Sequence, residues 1–283
     1  MATLRQTFSD IASAIRAKGV SGTMKPIEMA SKIGEIQTGG SQDYGYLTLT
    51  AEEATTLKLK QNGSIAPHKL LKSTDGVNWT KWENPSTNGI VLNAGESVYL
   101  KADEDARTRT SNSDSTYNNF SYTGKIKFDG DIRSIVKFVA PGDYRYWVSQ
   151  LFNGCSSLTT APELLATTLA EQCYYKMFVN CTSLTNAPEL PATSLKRRCY
   201  HGMFYNCTSL TKAPELPATT LASGCYDSML MNCTSLTTAP ELPATYLDTY
   251  CYYNMFSGCT SLKRIKMNAS SGSWGESMFS GCT

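Results

Sequence analysis

Short segments in which apolar and polar residues alternate run from about residue 46 to residue 123. Residues 46–50, 56–60, 89–92 and 97–101 each place every second side chain on one face. This period of two is typical of a strand with one buried face. Gly, Asn, Asp and Ser residues, which favour turns, separate the segments. The pattern predicts a small β-sandwich domain over residues 44–123.

The N-terminal residues show a different period of apolar positions. Apolar residues recur every three or four positions in residues 1–38, and Pro26 stands where a second helix would begin. The segment predicts two short helices, which form either a self-contained hairpin or an anchor that docks into a larger assembly. The candidate anchor residues are Leu4, Phe8, Ile11, Ile15 and Ile33.

The second half of the chain repeats itself every 26 residues. Two cysteine series share this period, one from Cys155 to Cys259 and one from Cys173 to Cys251. A fixed period of about 20–50 residues is typical of a solenoid, whose turns bury their apolar side chains against one another. We therefore predict a mainly β fold. It consists of a helical hairpin over 1–38, the sandwich over 44–123, and a leucine-rich-repeat-like solenoid of 26-residue turns with its N-terminal cap over 124–283.

Positions that stay apolar from turn to turn predict the core. Four such series begin at Leu158, Leu164, Leu169 and Met177, and the residue after each Met is Phe or Leu. Turns that pair as parallel strands would stack the members of a series about 4.8 Å apart. Each buried large apolar side chain contributes about 1.5–3 kcal/mol. We expect these series to hold the turns together.

The ten cysteines leave three interpretations. Their separations of 8 and 18 residues differ from the short CxxC spacings of zinc sites. Disulfides within a turn, such as Cys173–Cys181, are conceivable, but Cys155 and Cys282 would have no partner. A buried ladder of free thiols needs no pairing, and we predict this arrangement and no metal site.

Positions that vary between turns predict a recognition surface. They follow the Leu169 series and the Tyr174 series, so we expect them along one edge of the solenoid. The alternative is that exposed positions vary because nothing constrains them. A basic group around Arg198 favours an acidic glycan or a carboxylate as ligand. The candidate receptor-binding residues are Lys176, Lys196, Arg197, Arg198, His201, Asp227, Tyr250 and Tyr253.

Composition narrows the function classes. The 26 basic and 24 acidic residues disfavour a polybasic binder of nucleic acid or membrane. No apolar run approaches the roughly 20 residues of a membrane helix, and the N-terminus lacks the apolar core of a secretory signal. Only His68 and His201 are present, and neither lies in a recognisable nucleophile motif. We predict no enzyme, no catalytic residues and no cofactor.

The repeated motif carries a resemblance. Met-Phe-x-x-Cys-Thr-Ser-Leu-Thr-x-Ala-Pro-Glu-Leu-Pro-Ala-Thr resembles the BspA-like leucine-rich repeats of Bacteroidales surface proteins and of the phages that infect them. Leu165 and Leu230 depart from the motif, since the other turns carry proline and phenylalanine there. Residues 8–19 with residues 24–30 are similar to the short helical segment that opens many phage tail proteins.

Two hypotheses follow from these resemblances. The first is a phage virion protein of the tail, a fibre or an appendage, assembled in the cytoplasm of the host bacterium. Its helices would contact other virion proteins, its solenoid would contact a host cell-surface glycan or protein, and phage fibres suggest a homotrimer. The second is a bacterial surface or secreted adhesin, which an export signal upstream would favour. Neither hypothesis includes nucleic acid or membrane insertion.

Overall fold

Strands occupy the first part of the chain, and tight turns occupy most of the repeat region. The computed structural model describes residues 45–63, 69–103, 111–113, 116–136, 146, 148–267 and 277–282. Its strands are β1 (Leu47–Ala51), β2 (Thr55–Asn62), β3 (Leu70–Ser73), β4 (Thr80–Lys81), β5 (Ile90–Leu92), β6 (Ser97–Ala102), β7 (Ser111–Ser113), β8 (Thr116–Ser121), β9 (Ile126–Asp129), β10 (Leu158–Thr160), β11 (Thr238–Leu242) and β12 (Arg264–Met267). A 3-10 helix over Ile132–Ile135 follows β9. The four strand segments predicted from alternation lie in β1, β2, β5 and β6.

Two sheets form from the first ten strands. One has the order β10-β9-β1-β6-β3-β4 and the other β5-β2-β8-β7. All pairs in them are antiparallel except β9 with β10, which are parallel. The rings of Phe120 in β8 and Phe128 in β9 lie 5.4 Å apart, and Phe152 contacts both at 5.4 and 4.8 Å. The core between the sheets therefore continues into the repeats, and residues 46–283 form one compact unit.

Each repeat contains a ten-residue run of overlapping turns, which we call a turn arc. The arcs are arc 1 (171–180), arc 2 (197–206), arc 3 (223–232) and arc 4 (249–258). Every fourth residue of an arc has a positive φ, as at Gln172 (55°), Lys176 (52°) and Asn180 (59°). This conformation breaks a strand, and it explains why turns replace the parallel strands expected here.

Backbone amides in the arcs donate alternately to two kinds of acceptor. In arc 1 the amides of residues 172, 174, 176, 178 and 180 donate to carbonyls of arc 2 at 2.9–3.1 Å. The amides of residues 175, 177 and 179 donate to the third residue before them, as from Met177 to Tyr174 at 3.3 Å. Arcs 2 and 3 bond to the next arc in the same way. Consecutive arcs are thus held together by paired backbone groups.

Side-chain ladders fill the interior as predicted. The series of Leu158, Leu164 and Met177 are buried through the repeats except for the partly buried Leu262, and the Leu169 series is at most 8% exposed. A further ladder of tyrosines starts at Tyr174, and its rings stack 5.7–5.9 Å apart within 5° of parallel. Since equivalent residues lie above one another, each side chain packs on its own copy. The members of the tyrosine ladder are Tyr174, Tyr200, Tyr226 and Tyr252.

The cysteines are free thiols, which confirms the predicted thiol ladder. From Cys181 on, each Sγ of the first series donates to a carbonyl of the preceding repeat, as from Cys207 to Phe178 at 3.1 Å and from Cys233 to Phe204 at 3.2 Å, whereas Cys155 donates to Phe120 of β8. The Phe178 carbonyl also accepts the Cys181 amide. Burial raises the pKa of the Cys207 thiol to about 12. The thiols therefore stay protonated and satisfy carbonyls that face the core.

The predicted fold class was wrong. It included a helical element and a solenoid of paired strands, whereas the described residues contain no α-helix and are β-rich with repeated turns. The hairpin predicted over 1–38 lies outside the described residues. Strands β9 and β10, from the region predicted as solenoid and cap, join the sheet of β1, so the two predicted β regions share one sheet. Within the described part of the chain, no helix is long and apolar enough to span a membrane. The domain boundaries at 38 and 123 stay predictions.

Two neighbouring leucines test the ladder. Leu164 is 2% exposed and Leu165 is 38% exposed. We expect Leu164→Ala to lower the free energy of unfolding by about 2–5 kcal/mol, since it removes core contacts and leaves a cavity. The matched control Leu165→Ala is expected to change it by less than about 0.5 kcal/mol. Urea unfolding followed by circular dichroism measures both, and equal losses would contradict the ladder.

Alkaline pH is expected to destabilise the fold. Burial raises the pKa of Cys155, Cys199, Cys207 and Cys259 to about 12, against 9.0 for an exposed thiol. Between these values the unfolded chain releases protons that the folded chain retains, so stability is complete below pH 9 and falls as pH rises toward 12. Urea unfolding at about pH 8 and 10.5 measures the decrease. A Cys207→Ala variant should show a smaller decrease, and an unchanged one would refute the mechanism.

Candidate functional site

Side chains that leave the arcs on the side away from the core form one surface, which we call the arc face. Because the arcs are in register, equivalent residues follow one another at one repeat spacing. Arc 1 contributes Gln172, Tyr175 and Lys176, of which Lys176 is part-exposed and the other two are buried. The equivalent triplets of arcs 2, 3 and 4 are Arg198, His201 and Gly202; Gly224, Asp227 and Ser228; and Tyr250, Tyr253 and Asn254. The arc face thus collects the positions that vary between repeats.

A chain of contacts crosses three arcs. The ring of Tyr175 stacks on that of His201 at 4.8 Å and 4°. His201 Nδ1 lies 3.2 Å from Asp227 Oδ2, although it does not point at that oxygen as a hydrogen-bond donor would. The Ser228 hydroxyl lies 2.7 Å from the other oxygen of Asp227, and Lys176 Nζ lies 5.0 Å from the Tyr175 ring centroid. These side chains support one another and keep a fixed arrangement.

Two glycines make room for long cationic side chains. A Cβ at Gly202 would lie 3.2 Å from Lys176 Cγ, and one at Gly224 would lie 3.2 Å from Arg198 Cγ. Both glycines have positive φ, but residues with side chains adopt the same conformation at the equivalent positions, as Arg198 does at 52°. Backbone conformation alone therefore does not require glycine here. The missing side chains allow Lys176 and Arg198 to lie across the next arc.

Positive charge concentrates on arcs 1 and 2. Lys196, Arg197 and Arg198 are exposed, and among the described residues neither they nor Lys176 form an ion pair. The nearby Asp227 carboxylate lies against His201 and Ser228 and forms no ion pair with these four side chains. The four cations therefore keep their charge available for a ligand.

Two tyrosines of arc 4 extend the surface. The rings of Tyr250 and Tyr253 lie 5.6 Å apart in an edge-on arrangement. Tyr250 is 55% exposed, although a tyrosine of this size usually buries most of its ring. The Gly224 amide donates to the Thr249 carbonyl at 2.9 Å, so Tyr250 comes next to Gly224. Exposed tyrosines beside cations are frequent in binding surfaces.

All eight predicted receptor-binding residues lie in or beside the arcs. Lys176, His201 and Asp227 are brought together, Arg198 lies across Gly224, and Tyr250 and Tyr253 contact each other. Lys196 and Arg197 are exposed nearby without a described contact to this group. The candidate virion-anchor residues Leu4, Phe8, Ile11, Ile15 and Ile33 lie outside the described residues. That the arc-face residues bind a receptor stays a prediction.

Sequence reasoning missed two features of this surface. Tyr175 was not selected, although it supports His201, and Gly202 and Gly224 were not recognised as space for the neighbouring cations. A signal for the glycines is present in the sequence. At the position of Gly224 the other repeats carry Gln, Arg and Tyr, and at the position of Gly202 they carry Lys, Ser and Asn. In both cases the repeat before the glycine carries a long cation at that position.

A groove on another side of the repeats was also missed. It has a volume of about 510 Å³ and lies between the Ala-Pro-Glu-Leu-Pro segments of two consecutive repeats. Pro188, Pro191, Pro214 and Pro217 line it together with Glu189, Glu215 and Lys212. Proline donates no amide hydrogen, and these four prolines lie outside the strands.

The arrangement around Asp227 does not match a nucleophilic triad. In a catalytic triad the histidine lies between the serine and the carboxylate, where it can accept the serine proton. Here Asp227 lies between His201 and Ser228. Among the residues that the structure describes, no three His, Cys, Asp or Glu side chains come together as metal ligands. What this surface offers is hydrogen bonding, charge and ring stacking.

A comparison with protein families accords with these repeats. Residues 171–283 match the model described as BspA type leucine rich repeat region, in six copies. Comparisons with curated proteins and with solved structures gave no match. A repeat domain of this type implies an interaction with proteins or surfaces. The repeats over residues 171–283 are therefore similar to those of the BspA-type leucine-rich repeat family.

Proposed function

We propose that the chain is a non-enzymatic bacteriophage virion protein of the tail, a fibre or an appendage, whose repeats recognise the host surface. The arc face carries this proposal, because invariant ladders hold outward residues that differ in every repeat. The resemblance of residues 8–30 to the opening segment of phage tail proteins supports the virion role. The resemblance of the repeats to those of Bacteroidales phages supports a host of that group.

The backbone geometry favours recognition. Residues 172, 176, 198 and 224 each donate their amide to the next repeat, so their backbone is fixed before a ligand arrives. Binding to a preorganised surface costs less conformational entropy than binding to flexible loops. Exchange of one outward residue leaves these hydrogen bonds intact. A surface of this kind can change its ligand without a change of fold.

The remaining parts of the proposal concern assembly. The predicted helices over 1–38 contact other virion proteins through Leu4, Phe8, Ile11, Ile15 and Ile33. The repeats contact a cell-surface glycan or protein, and a homotrimer is the expected form. The protein is assembled into the virion in the host cytoplasm and acts without cofactor, nucleic acid or membrane insertion.

Mass spectrometry of purified virions tests the virion role. We expect peptides of this chain in a fixed copy number relative to the major capsid protein through density-gradient purification. A host lysate without phage serves as control. Detection in bacterial envelopes and absence from virions would overturn the proposal and favour the second candidate, a bacterial surface or secreted adhesin. The match of residues 171–283 to the BspA-type family is the observation that favours this second candidate.

Competition for phage adsorption tests the arc face. We expect the purified chain to block adsorption to host cells and a variant with Lys196, Arg197 and Arg198 changed to serine to block it at least ~10-fold less well, because three unpaired cations are lost. The control changes Lys212, Lys263 and Arg264 to serine, which removes equal charge from exposed positions outside the arcs. Equal loss in both variants would contradict recognition through the arc face.

A further inference from the structure

The groove between the Ala-Pro-Glu-Leu-Pro segments combines two carboxylates with apolar walls. Glu189 and Glu215 occupy equivalent positions of consecutive repeats, and both are exposed. Alanine and proline precede each glutamate in the lining, and a further proline follows two positions later. The lining residues belong to none of the arcs, so this groove is separate from the arc face.

Neither carboxylate has a partner among the described residues. Glu189 and Glu215 form no ion pair and no side-chain hydrogen bond there, and Lys212, the cation in the lining, pairs with neither of them. The equivalent carboxylate one repeat further along, Glu241, accepts a hydrogen bond from Lys266 Nζ at 2.8 Å. The chain thus places a cationic side chain against this position where it supplies one.

Stacking of the repeats brings the two carboxylates near each other. The rings of Tyr174 and Tyr200, which belong to the same two repeats, lie 5.7 Å apart. A parallel bridge between Asn186 and Lys212 makes the two groove segments neighbours as well. Two like charges held one repeat apart repel each other, and a cation between them relieves the repulsion.

From this geometry we propose that the groove binds an extended segment of a partner protein through one arginine flanked by apolar residues. The guanidinium group is planar and carries several N–H donors, so it can donate to both carboxylates at once. Long cationic side chains pack their aliphatic stems on apolar surface, and the prolines offer that surface here. The apolar neighbours of the arginine contact Pro188 before the glutamates and Pro191 and Pro217 after them.

The apolar walls favour a protein segment over a free cation. Prolines line the groove on both sides of the glutamates, and a small guanidine would leave them in water. The volume of about 510 Å³ lies within the range of sites that enclose a ligand. Because proline rings fix φ, the walls keep their shape and binding costs little ordering entropy. The two carboxylates disfavour nucleic acid and other phosphate ligands, which carry the same charge.

Fluorescence anisotropy with the full chain tests the proposal. The probe is the peptide Ala-Pro-Leu-Arg-Leu-Pro-Ala with a tetramethylrhodamine label, and the matched control carries citrulline, which is neutral and nearly the same shape, in place of arginine. We expect the citrulline peptide to bind at least ~10-fold more weakly, because charged hydrogen bonds are lost. Equal binding of the two peptides, or no binding of the arginine peptide, would overturn the proposal. Displacement of the probe by agmatine as readily as by unlabelled peptide would overturn the assignment to a protein segment.

A double variant locates the site. Glu189→Gln together with Glu215→Gln is expected to weaken binding of the arginine peptide at least ~5-fold, since exposed charge pairs each contribute modestly. The control changes Glu53 and Glu83 to glutamine, which removes equal charge from exposed positions of the β region. This control should bind as the unmodified chain does.

A cation built into the wall gives an independent test. Pro217→Arg is expected to weaken peptide binding at least ~5-fold, because the new guanidinium competes for the same carboxylates. Leu165 stands at the equivalent position of the first repeat, so a residue other than proline is compatible with the backbone there.

Thermal unfolding by circular dichroism shows whether each variant is folded, and the glutamate double variant decides if Pro217→Arg is not. Unchanged binding in the folded double variant refutes the site. Failure here is separable from failure of the virion role, because neither virion mass spectrometry nor the arc-face variants depend on this groove.

Discussion

The repeats depend on the alternation of backbone hydrogen bonds within the turn arcs. Every second amide donates to the next repeat, and the amides between them donate within their own arc. This pattern places a residue with positive φ at every fourth position, even where it is a lysine or an arginine. Such a conformation costs about 1–2 kcal/mol for a residue with a Cβ. Hydrogen bonds to the next repeat and burial of the ladders offset that cost.

Register between arcs explains why the interior is made of identical residues. When turns stack without a shift, each side chain meets its own copy, so a shape that packs well once packs well throughout. The parallel tyrosine rings and the thiols that donate to the preceding repeat are both consequences. Phe152 then connects this interior to Phe120 and Phe128 of the sheets. The repeats thereby grow from one edge of the β region, where β10 pairs with β9.

Because the repeats are in register, the residues that stabilise the fold and the residues that face outward are different ones. Outward residues of the arcs contribute little to the core, so their identity is free to serve a ligand. Where Lys176 and Arg198 need space, the next repeat has glycine at the position they cross. Charge, a fixed aromatic pair and a carboxylate are brought within a few repeats of one another. This combination offers charge, hydrogen bonding and ring stacking to a ligand.

Much of the repeat structure could be predicted from the sequence, because the positions that stay apolar in every repeat are the buried ones. A residue that recurs every 26 positions must occupy equivalent environments, so the leucine and methionine ladders, the free thiols and the edge that carries variation were predictable. Alternation likewise located β1, β2, β5 and β6.

Tertiary structure alone decided how the turns pair. The arcs use positive φ and turns where strands were expected. This conformation lets every second amide donate to a carbonyl of the next repeat, 25 residues further along the chain. Local residue preferences do not carry that information. The stacking of Tyr175 on His201 and the position of Arg198 over Gly224 are likewise contacts between repeats. The sequence determined which residues face outward, and the stacking of the repeats decided which of them meet.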